Sequence, residues 1–236
     1  MKLPTLTNGK IISRYKRFLA DIELNSGDTV TAHCPNTGSM QGCWKQGAPV
    51  QVSASDNPKR KLQWTLERVD MGAGWIGINT SRVNTIMSGF INDNAVPGLE
   101  GYSNLKREPA YNVDGFDRSR FDILLSGSKR KPCFVEVKNT TLYRNQEIQF
   151  PDAKTARGKK HLKLLQHAAK NGYRSVMLFA VNRPEGDLFR VARDIDPAYH
   201  QALVESSRNG VELIAFRIRH TSTGVEPGER VSISLD

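Results

Sequence analysis

The sequence predicts a mixed α+β chain, in which a small β-barrel over residues 1–80 is followed by a larger α/β domain over residues 81–236. The first third of the chain holds short β-type segments, separated by clusters of Asn, Gly and Pro. After residue 80 the pattern changes to apolar strands that alternate with amphipathic helices. A length of 236 residues accommodates two domains of ordinary size.

The predicted strands of the first domain lie in five segments. Each segment combines β-branched or aromatic residues with a turn signal at its end. In chain order they are GKIISRYKRFLADIEL, TVTAHCP, APVQVSAS, KLQWTLERVD and GWIGINT. Short strands at such close spacing fit a five-stranded barrel of the oligonucleotide-binding type.

Helices are predicted at three places in the second domain. The first lies in SRVNTIMSGFI, where apolar residues recur at helical spacing. The second lies in TARGKKHLKLLQHAAKNG and ends at the stop signal Asn171–Gly172. The third lies in DPAYHQALVESSRNG, with Asp196 as the N-cap, Pro197 as the first helical residue and Gly210 as the terminator.

The strands predicted between these helices form one mixed sheet. GYSNLKREPAYN holds a strand that ends before Pro109. RFDILLS and PCFVEVKNT form a hairpin, and RSVMLFAVN forms a strand that is buried on both faces. VELIAFRIR is the last predicted strand, and the polar tail TSTGVEPGERVSISLD is predicted to be loosely held.

The composition indicates a soluble protein with an excess of positive charge. Apolar residues make up 38% of the chain, and 34 basic against 24 acidic residues leave a net charge of +10. That sign favours a polyanionic partner, nucleic acid before a membrane surface. No apolar run suits a signal peptide or a membrane span, so we expect the protein in the cytoplasm. Three cysteines without a CxxC pair indicate neither a disulfide framework nor a zinc site.

Charged residues interrupt two strands of the predicted hairpin. In PCFVEVKNTTL, Glu136 and Lys138 share one strand face, and Asp122 interrupts the strand before it. Two carboxylates that meet on one face repel, and burying either costs several kcal/mol. Mg²⁺ or Mn²⁺ would resolve that repulsion, and Lys138 would orient the attacking water. The pattern therefore predicts a metal site for phosphodiester hydrolysis.

The same charges have a second interpretation from the residues alone. An E-x-K triplet on an edge strand is usually a solvated pair whose charges neutralise each other. Three neighbouring features favour the metal site: the aspartate in the preceding strand, the helix that follows and the next apolar strand. Agreement between the residue pattern and the predicted order of elements is stronger evidence than one triplet.

Eight segments of the chain closely resemble the sugar fermentation stimulation protein family of bacteria and archaea. They are RYKRFLADIEL, HCPNTGSM, SDNPKRK, GYSNLKRE, RSRFDILL, FVEVKNTTL, FPDAKTARGKKHL and IDPAYHQAL. The resemblance implies an N-terminal oligonucleotide-binding (OB) barrel and a C-terminal domain like the restriction-endonuclease-type PD-(D/E)XK nucleases. It also implies DNA binding without sequence preference and a role in regulating sugar (maltose) metabolism.

The resemblance places the nuclease pattern on three residues of this chain. Asp122, Glu136 and Lys138 carry it as catalytic residues, and Asp122, Glu136 and the additional acid Glu108 are the implied metal ligands. The proline that names the motif is absent, since Phe121 precedes Asp122.

Basic residues in three segments are predicted to contact nucleic acid. RYKRF interleaves them with aromatic rings on which bases stack, PKRK adds a basic turn, and FPDAKTARGKKHL carries a row that suits phosphates. The candidates are Arg14, Tyr15, Lys16, Arg17, Lys59, Arg60, Lys61, Arg157, Lys159 and Lys160. In a regular strand one of Tyr15 and Phe18 belongs to the core. Asp152 is expected to cap the helix rather than to reach the metal.

Together these observations predict a DNA-binding protein of low sequence specificity with a Mg²⁺- or Mn²⁺-dependent endonuclease site. The alternative is a non-catalytic DNA-binding transcriptional regulator that retains a nuclease scaffold, and a third candidate is a structural or RNA-directed protein. The sequence does not distinguish single-stranded DNA from duplex or RNA, nor does it give the oligomeric state.

Overall fold

The computed structural model describes residues 1–114, 118–127 and 129–236. It contains a β-barrel followed by an α/β domain, as the sequence predicts. The turn predicted between the two hairpin strands includes Ser128, which lies outside the described residues. Within the described ranges, no helix is long and apolar enough to cross a membrane.

The first domain is a closed barrel with an additional short strand at one edge. Its strands are β1 (Leu6–Tyr15), β2 (Leu19–Leu24), β3 (Thr29–His33), β4 (Pro49–Ala54), β5 (Trp64–Asp70) and β6 (Trp75–Gly77). The strand order is β3-β2-β1-β4-β5-β6, and a parallel pairing of β3 with β5 closes the barrel. Alternate residues such as Ile22, Val52 and Leu66 point inward and are fully buried, so the barrel has its own core.

The second domain mixes strands and helices along the chain. Its helices are α1 (Val83–Asn92), α2 (Ala156–Lys170) and α3 (Pro197–Arg208). Its strands are β7 (Asn104–Arg107), β8 (Ala110–Tyr111), β9 (Ser119–Arg120), β10 (Ile123–Ser126), β11 (Cys133–Thr140), β12 (Leu142–Arg144), β13 (Glu147–Phe150), β14 (Arg174–Val181), β15 (Leu188–Val191), β16 (Val211–His220) and β17 (Val225–Ser234).

A long mixed sheet forms the centre of this domain. Its order is β12-β13-β15-β17-β16-β14-β11-β10-β7, and β11, β14 and β16 run parallel to one another. On one face α1 packs over Val135 and Val137 of β11. On the other face α2 and α3 cover Phe134 and its neighbours. Successive side chains of β11 therefore enter different cores.

The helix boundaries follow the signals in the sequence. Asp196 caps α3, since its Oδ1 accepts a hydrogen bond from the Tyr199 backbone N–H at 3.0 Å, and Pro197 is the first helical residue. Helix α2 ends at the Asn171 cap, and Gly172 follows with a φ of 88°. The hairpin of β10 and β11 is antiparallel, with Ile123 opposite Val135.

The prediction of a loosely held tail is wrong. The tail contributes β17, which pairs antiparallel with β16 and parallel with β15. Its buried apolar residues are widely spaced, with Val225 and Val231 both 2% exposed, so the sequence carries little periodicity. Backbone hydrogen bonds to β15 and β16 stabilise β17, although β17 has no continuous apolar face.

The prediction that Tyr15 or Phe18 enters the barrel core is also wrong. The segment GKIISRYKRFLADIEL contains two strands, and the turn between them gives Lys16 and Arg17 positive φ values of 49° and 66°. Left-handed backbone at both central positions is the geometry of a tight hairpin turn. The turn leaves Tyr15 38% and Phe18 46% exposed.

Arg68 of β5 fastens the barrel to the second domain. Its side chain is fully buried, and Nη1 and Nη2 donate to the carbonyls of Thr221 and Ser222, each at 2.7 Å. Nε donates to Gln51 of the barrel, and the guanidinium lies 4.9 Å from the centre of the Trp75 ring. The turn between β16 and β17 is thereby held against the barrel.

A second polar cluster links the domains through Glu67. This barrel carboxylate is 3% exposed and accepts two hydrogen bonds from Arg82, at 2.6 and 2.7 Å. Ser53 and Asn79 also donate to it, at 2.6 and 3.0 Å. Because Arg82 directly precedes α1, the ion pair fixes the start of that helix relative to the barrel.

His220 belongs to the same domain junction. Its Nε2 donates to Asn182 Oδ1 at 2.6 Å, and Asn182 Nδ2 donates to Asn139 Oδ1 at 3.0 Å. Burial, assisted by the positive charge of Arg68, lowers the pKa of His220 to about 4. The imidazole is therefore neutral at pH 7.

Replacing Arg68 by methionine should destabilise the protein by about 3 kcal/mol or more. The substitution keeps much of the buried volume but leaves several carbonyls without their donor. Urea unfolding of Arg68→Met can be compared with that of Arg107→Met, where the strand side chain is exposed. Similar losses of unfolding free energy in both variants would contradict a clamp at Arg68.

The His220 environment predicts a loss of stability in acid. Between pH 6.5 and about 4 the unfolded chain binds a proton that folded His220 does not, so the free energy of unfolding falls as pH falls. The slope is up to about 1.4 kcal/mol per pH unit. His220→Gln retains a donor without an ionisable ring, so urea unfolding should show a shallower slope. Equal slopes in the two proteins would refute this assignment.

Candidate active site

Glu136 and Lys138 lie on the face of β11 that α2 covers. Glu136 is 2% exposed, and its Oε1 accepts a hydrogen bond from Lys138 Nζ at 2.6 Å. The Lys138 side chain is 14% exposed, so the pair is not a solvated surface contact. The structure thereby favours the buried-site interpretation of this triplet over the surface one.

His161 of α2 completes the surroundings of Glu136. Its Nδ1 contacts the same oxygen, Glu136 Oε1, and its ring is 6% exposed. From the sequence, His161 could relay protons, but it is not assigned to the site because a lone helix histidine is more often simply packed or exposed; its partner lies 25 residues away along the chain. A signal was present, since an inward-facing histidine on α2 has to find a polar partner.

The second oxygen of Glu136 has no partner among the described residues. Oε2 is buried and accepts no hydrogen bond. Burial raises the pKa of Glu136, but the opposing effects of Lys138 and His161 are larger, so its pKa lies below the usual range. The residue is thus an ionised carboxylate with one oxygen available to a further ligand.

Asp122 directly precedes β10 and lies near Glu136. Its Oδ2 accepts a hydrogen bond from the Val137 backbone N–H at 2.7 Å, and its Oδ1 accepts one from Asn84 Nδ2 at 2.7 Å. Burial, and then the negative charge of Glu136, raise the pKa of Asp122. Two carboxylates from neighbouring strands are therefore close enough to repel each other.

The donor set of these two carboxylates fits a hard divalent cation. Mg²⁺ is commonly bound by one or two carboxylates while it keeps several waters. Glu136 offers an unused oxygen, and the Asp122 oxygens each accept a single hydrogen bond although a carboxylate has about four lone-pair sites. Across residues 1–114, 118–127 and 129–236, no group of three or more His, Cys, Asp and Glu side chains could hold a metal ion.

Glu108 does not join the two carboxylates in the structure. Its side chain is 66% exposed and forms an ion pair with Arg120 at 3.6 Å. Its backbone is nevertheless next to the site, because the Glu108 N–H donates to the Asp122 carbonyl at 2.9 Å.

The predicted nucleic-acid residues of the barrel lie in two places. At the β1–β2 turn, Lys16 and Arg17 are exposed, and the Tyr15 hydroxyl donates to Asp21 at 3.1 Å. Arg14 is instead bonded to three carbonyls, those of Arg17, Asn36 and Gly38. It therefore positions the loop after β3.

In the second place, Lys59 and Lys61 are exposed in the turn between β4 and β5. Arg60 between them is half-buried and donates to Thr65 Oγ1 at 2.9 Å. The two lysines are thus the better placed of the three for phosphate contacts.

The basic residues of α2 lie at its first turns. Arg157 is exposed, with its Nε 3.4 Å from His161 Nε2, and Lys159 and Lys160 are half-buried. These positive charges lie on the helix that covers Glu136. Through its contact with His161, Arg157 lies next to the candidate metal site.

The expectation that Asp152 caps α2 is wrong. Thr155 is the N-cap, since its Oγ1 accepts a hydrogen bond from the Gly158 N–H at 3.0 Å. Asp152 Oδ2 instead accepts hydrogen bonds from the backbone and hydroxyl of Ser39 in the barrel, at 2.9 and 3.2 Å. Sequence alone could not reveal this bond, because it depends on how the domains dock.

The family models match both domains. Residues 12–78 match the model described as the SfsA N-terminal OB domain, and residues 81–224 match the Sugar fermentation stimulation protein RE domain. The sugar fermentation stimulation protein homolog of Acidithiobacillus ferrooxidans is 46% identical over 93% of each chain. That of Geotalea uraniireducens is 42% identical over the full length of both.

A solved structure shares the fold. SfsA of Pyrococcus furiosus, determined in complex with Ca²⁺, superposes with a TM-score of 0.87 over 99% of this chain and 98% of that chain, at 23% identity. The matches confirm the predicted fold class, an OB barrel followed by a restriction-endonuclease-like domain, and the resemblance drawn from the sequence segments.

The paired carboxylates predict a cation-dependent rise in thermal stability. A ligand that binds only the folded state at about 100 times its Kd adds about 2.7 kcal/mol. Mg²⁺, Mn²⁺ or Ca²⁺ should therefore raise the Tm of the wild type, and Asp122→Asn and Glu136→Gln should lose the rise.

Two further variants make the Tm measurement specific. Asp56→Asn, at an exposed barrel carboxylate, is the control. Glu108→Gln should keep the rise, because its carboxylate is paired with Arg120. A wild-type Tm that none of the three cations changes would contradict a metal site.

Proposed function

This chain belongs to the sugar fermentation stimulation protein family, and we propose that it is a DNA-binding protein with a divalent-cation-dependent phosphodiesterase site. The DNA contacts carry little sequence specificity. The cleavage activity resides in the second domain, and the DNA binding supports a role in regulating sugar metabolism.

The observation that carries the proposal is the convergence of Asp122, Glu136 and Lys138 from adjacent strands. The sheet holds a buried carboxylate with an unused oxygen beside a second carboxylate whose pKa is raised. Perturbed groups of this kind occur at catalytic sites. A purely structural role gives no reason to leave one buried oxygen of Glu136 without a partner.

Asp122 and Glu136 would hold the cation, and the Ca²⁺ found with the related Pyrococcus furiosus protein supports a divalent ion here. When bound, such an ion polarises the phosphate and lowers the pKa of water. The side chains of this chain supply the positioning. Asp122 is fixed by Asn84 and the Val137 N–H, and Glu136 is fixed by Lys138 and His161.

Lys138 is the residue that would donate hydrogen bonds to the attacking water or to the phosphate. Its ammonium group has three donors, of which one is directed to Glu136. The side chain is 14% exposed, so it is accessible to water or to a phosphate. Lys138 would therefore orient the attacking water and stabilise negative charge at phosphorus.

His161 acts on the reaction through Glu136. It contacts Glu136 Oε1, opposite the unused oxygen, and thus sets which oxygen faces a ligand. Its other ring nitrogen lies 3.4 Å from Arg157 Nε. We assign it as a positioning residue.

DNA is the proposed partner because the chain is basic and its exposed cations are grouped. The net charge is +10, and Lys16, Arg17, Lys59, Lys61 and Arg157 are exposed. Contacts of lysine and arginine with phosphates give affinity without reading the base sequence.

One observation favours the second candidate, a non-catalytic DNA-binding regulator. Lys138 and His161 already compensate Glu136, as they would in a nuclease scaffold that has lost its cation. In that case DNA binding requires no metal and is unaffected by changes at the carboxylates.

Plasmid nicking in the presence of Mn²⁺ tests the proposed activity. Asp122→Asn and Glu136→Gln should lower the rate by about a hundredfold or more, because each removes a charged ligand. Lys138→Met should also abolish nicking but retain the cation-dependent rise in Tm, because it leaves both carboxylates in place. Asp56→Asn, purified in the same way, is the control and should nick the plasmid at the wild-type rate.

Nicking of equal rate in wild type, Asp122→Asn and Glu136→Gln would identify a contaminant and refute the enzyme. Binding of DNA by all of them without nicking would establish the non-catalytic regulator instead.

A further inference from the structure

A cleft of about 410 Å³ lies between the two domains, next to the proposed site. Arg17 and Asn36 line it on the barrel side, and Asn139, Lys154 and Thr155 line it on the other side. Thr155 is the N-cap of α2 and precedes His161 by six residues, which is about 9 Å along the helix axis. The cleft therefore lies at the end of the helix whose His161 contacts Glu136.

The polar side chains that line the cleft offer hydrogen-bond donors to a ligand. Asn36 Oδ1 accepts a backbone N–H at 3.0 Å and Asn139 Oδ1 accepts from Asn182, which leaves the amide NH₂ of each for a ligand. Thr155 Oγ1 accepts the capping hydrogen bond of α2, so its O–H remains able to donate. Donors in this number suit a ligand that is rich in acceptor oxygens.

The charged residues of the cleft also favour a ligand that is rich in acceptor oxygens. Arg17 and Lys154 are both exposed at its rim. Asp152 is the one carboxylate among the described residues that line it, and Ser39 of the barrel donates to it twice. The cleft therefore favours an anion that carries several acceptors, such as a phosphodiester.

The size of the cleft suits one DNA strand rather than a double helix. A volume of about 410 Å³ lies in the range of sites for single small molecules, about 300–1,000 Å³. Arg68, the Glu67–Arg82 ion pair and the Asp152–Ser39 bonds hold the domains together on several sides. Such a fixed junction does not open by the width of a duplex.

The β1–β2 turn provides a path by which a single DNA strand can enter the cleft. Arg17 in this turn lines the cleft, and the neighbouring rings of Tyr15 and Phe18 are exposed. Aromatic rings beside cations are the means by which proteins bind unpaired bases, because each base can stack on a ring.

We infer that the cleft binds a single DNA strand, so that single-stranded DNA or an unpaired end is bound and cut in preference to continuous duplex. Bases stack on the β1–β2 turn, and one or two phosphates occupy the cleft. The cleavage part of this inference rests on the proposed function, whereas the binding part does not.

Fluorescence anisotropy with Ca²⁺ tests the binding part. The probes are a labelled single-stranded oligonucleotide of about ten nucleotides and the matching blunt duplex. The single strand should bind about tenfold or more tightly than the duplex, and Lys154→Glu should weaken single-strand binding about tenfold. Lys170→Glu makes the same charge change at the other end of α2, about 20 Å away, and should leave the affinity unchanged.

Equal affinity for the two probes, or equal weakening by Lys154→Glu and Lys170→Glu, would overturn the inference. Cleavage is measured separately with Mn²⁺. If neither probe is cut, the proposed activity fails, and the binding comparison still decides the inference. If the duplex is cut faster than the single strand, the activity stands and the inference is wrong.

Discussion

The buried carboxylate of Glu136 is the constraint on which the candidate site depends. An ionised group with 2% exposure is stable only if nearby charges and hydrogen bonds replace water. Lys138 provides the charge from the same strand, and His161 provides a contact from α2. The position of α2 over the sheet is therefore required by the site as much as by the apolar core beneath it.

The junction between the domains shapes the region around that carboxylate. Arg68 is bonded to carbonyls of the β16–β17 turn, and Asp152 is bonded to Ser39 of the barrel. These contacts lie at different points of the junction, so they fix orientation as well as distance. Rigid docking of this kind keeps polar groups of the two domains at a constant separation, which a binding cleft between them needs.

The fold class and the central residues of the candidate site could be predicted from the sequence, because both produce local sequence patterns. Glu136 and Lys138 stand out as charges within an apolar strand, and Asp196 has the residue type and setting of an N-cap. The roles of His161 and Asp152 were not predictable in this way. Each depends on a partner distant in the sequence, and only the packing of α2 or of the barrel brings that partner into contact.

A continuous series of contacts joins the barrel to the site. Glu67 of β5 binds Arg82, which immediately precedes α1. Two residues later, Asn84 donates to Asp122 Oδ1 at 2.7 Å. Because Asn84 is anchored by the helix whose start Glu67 fixes, the orientation of the Asp122 carboxylate depends on how the barrel docks. The barrel thus has a second role beyond any contact with nucleic acid, namely to hold one of the two carboxylates of the proposed metal site in place.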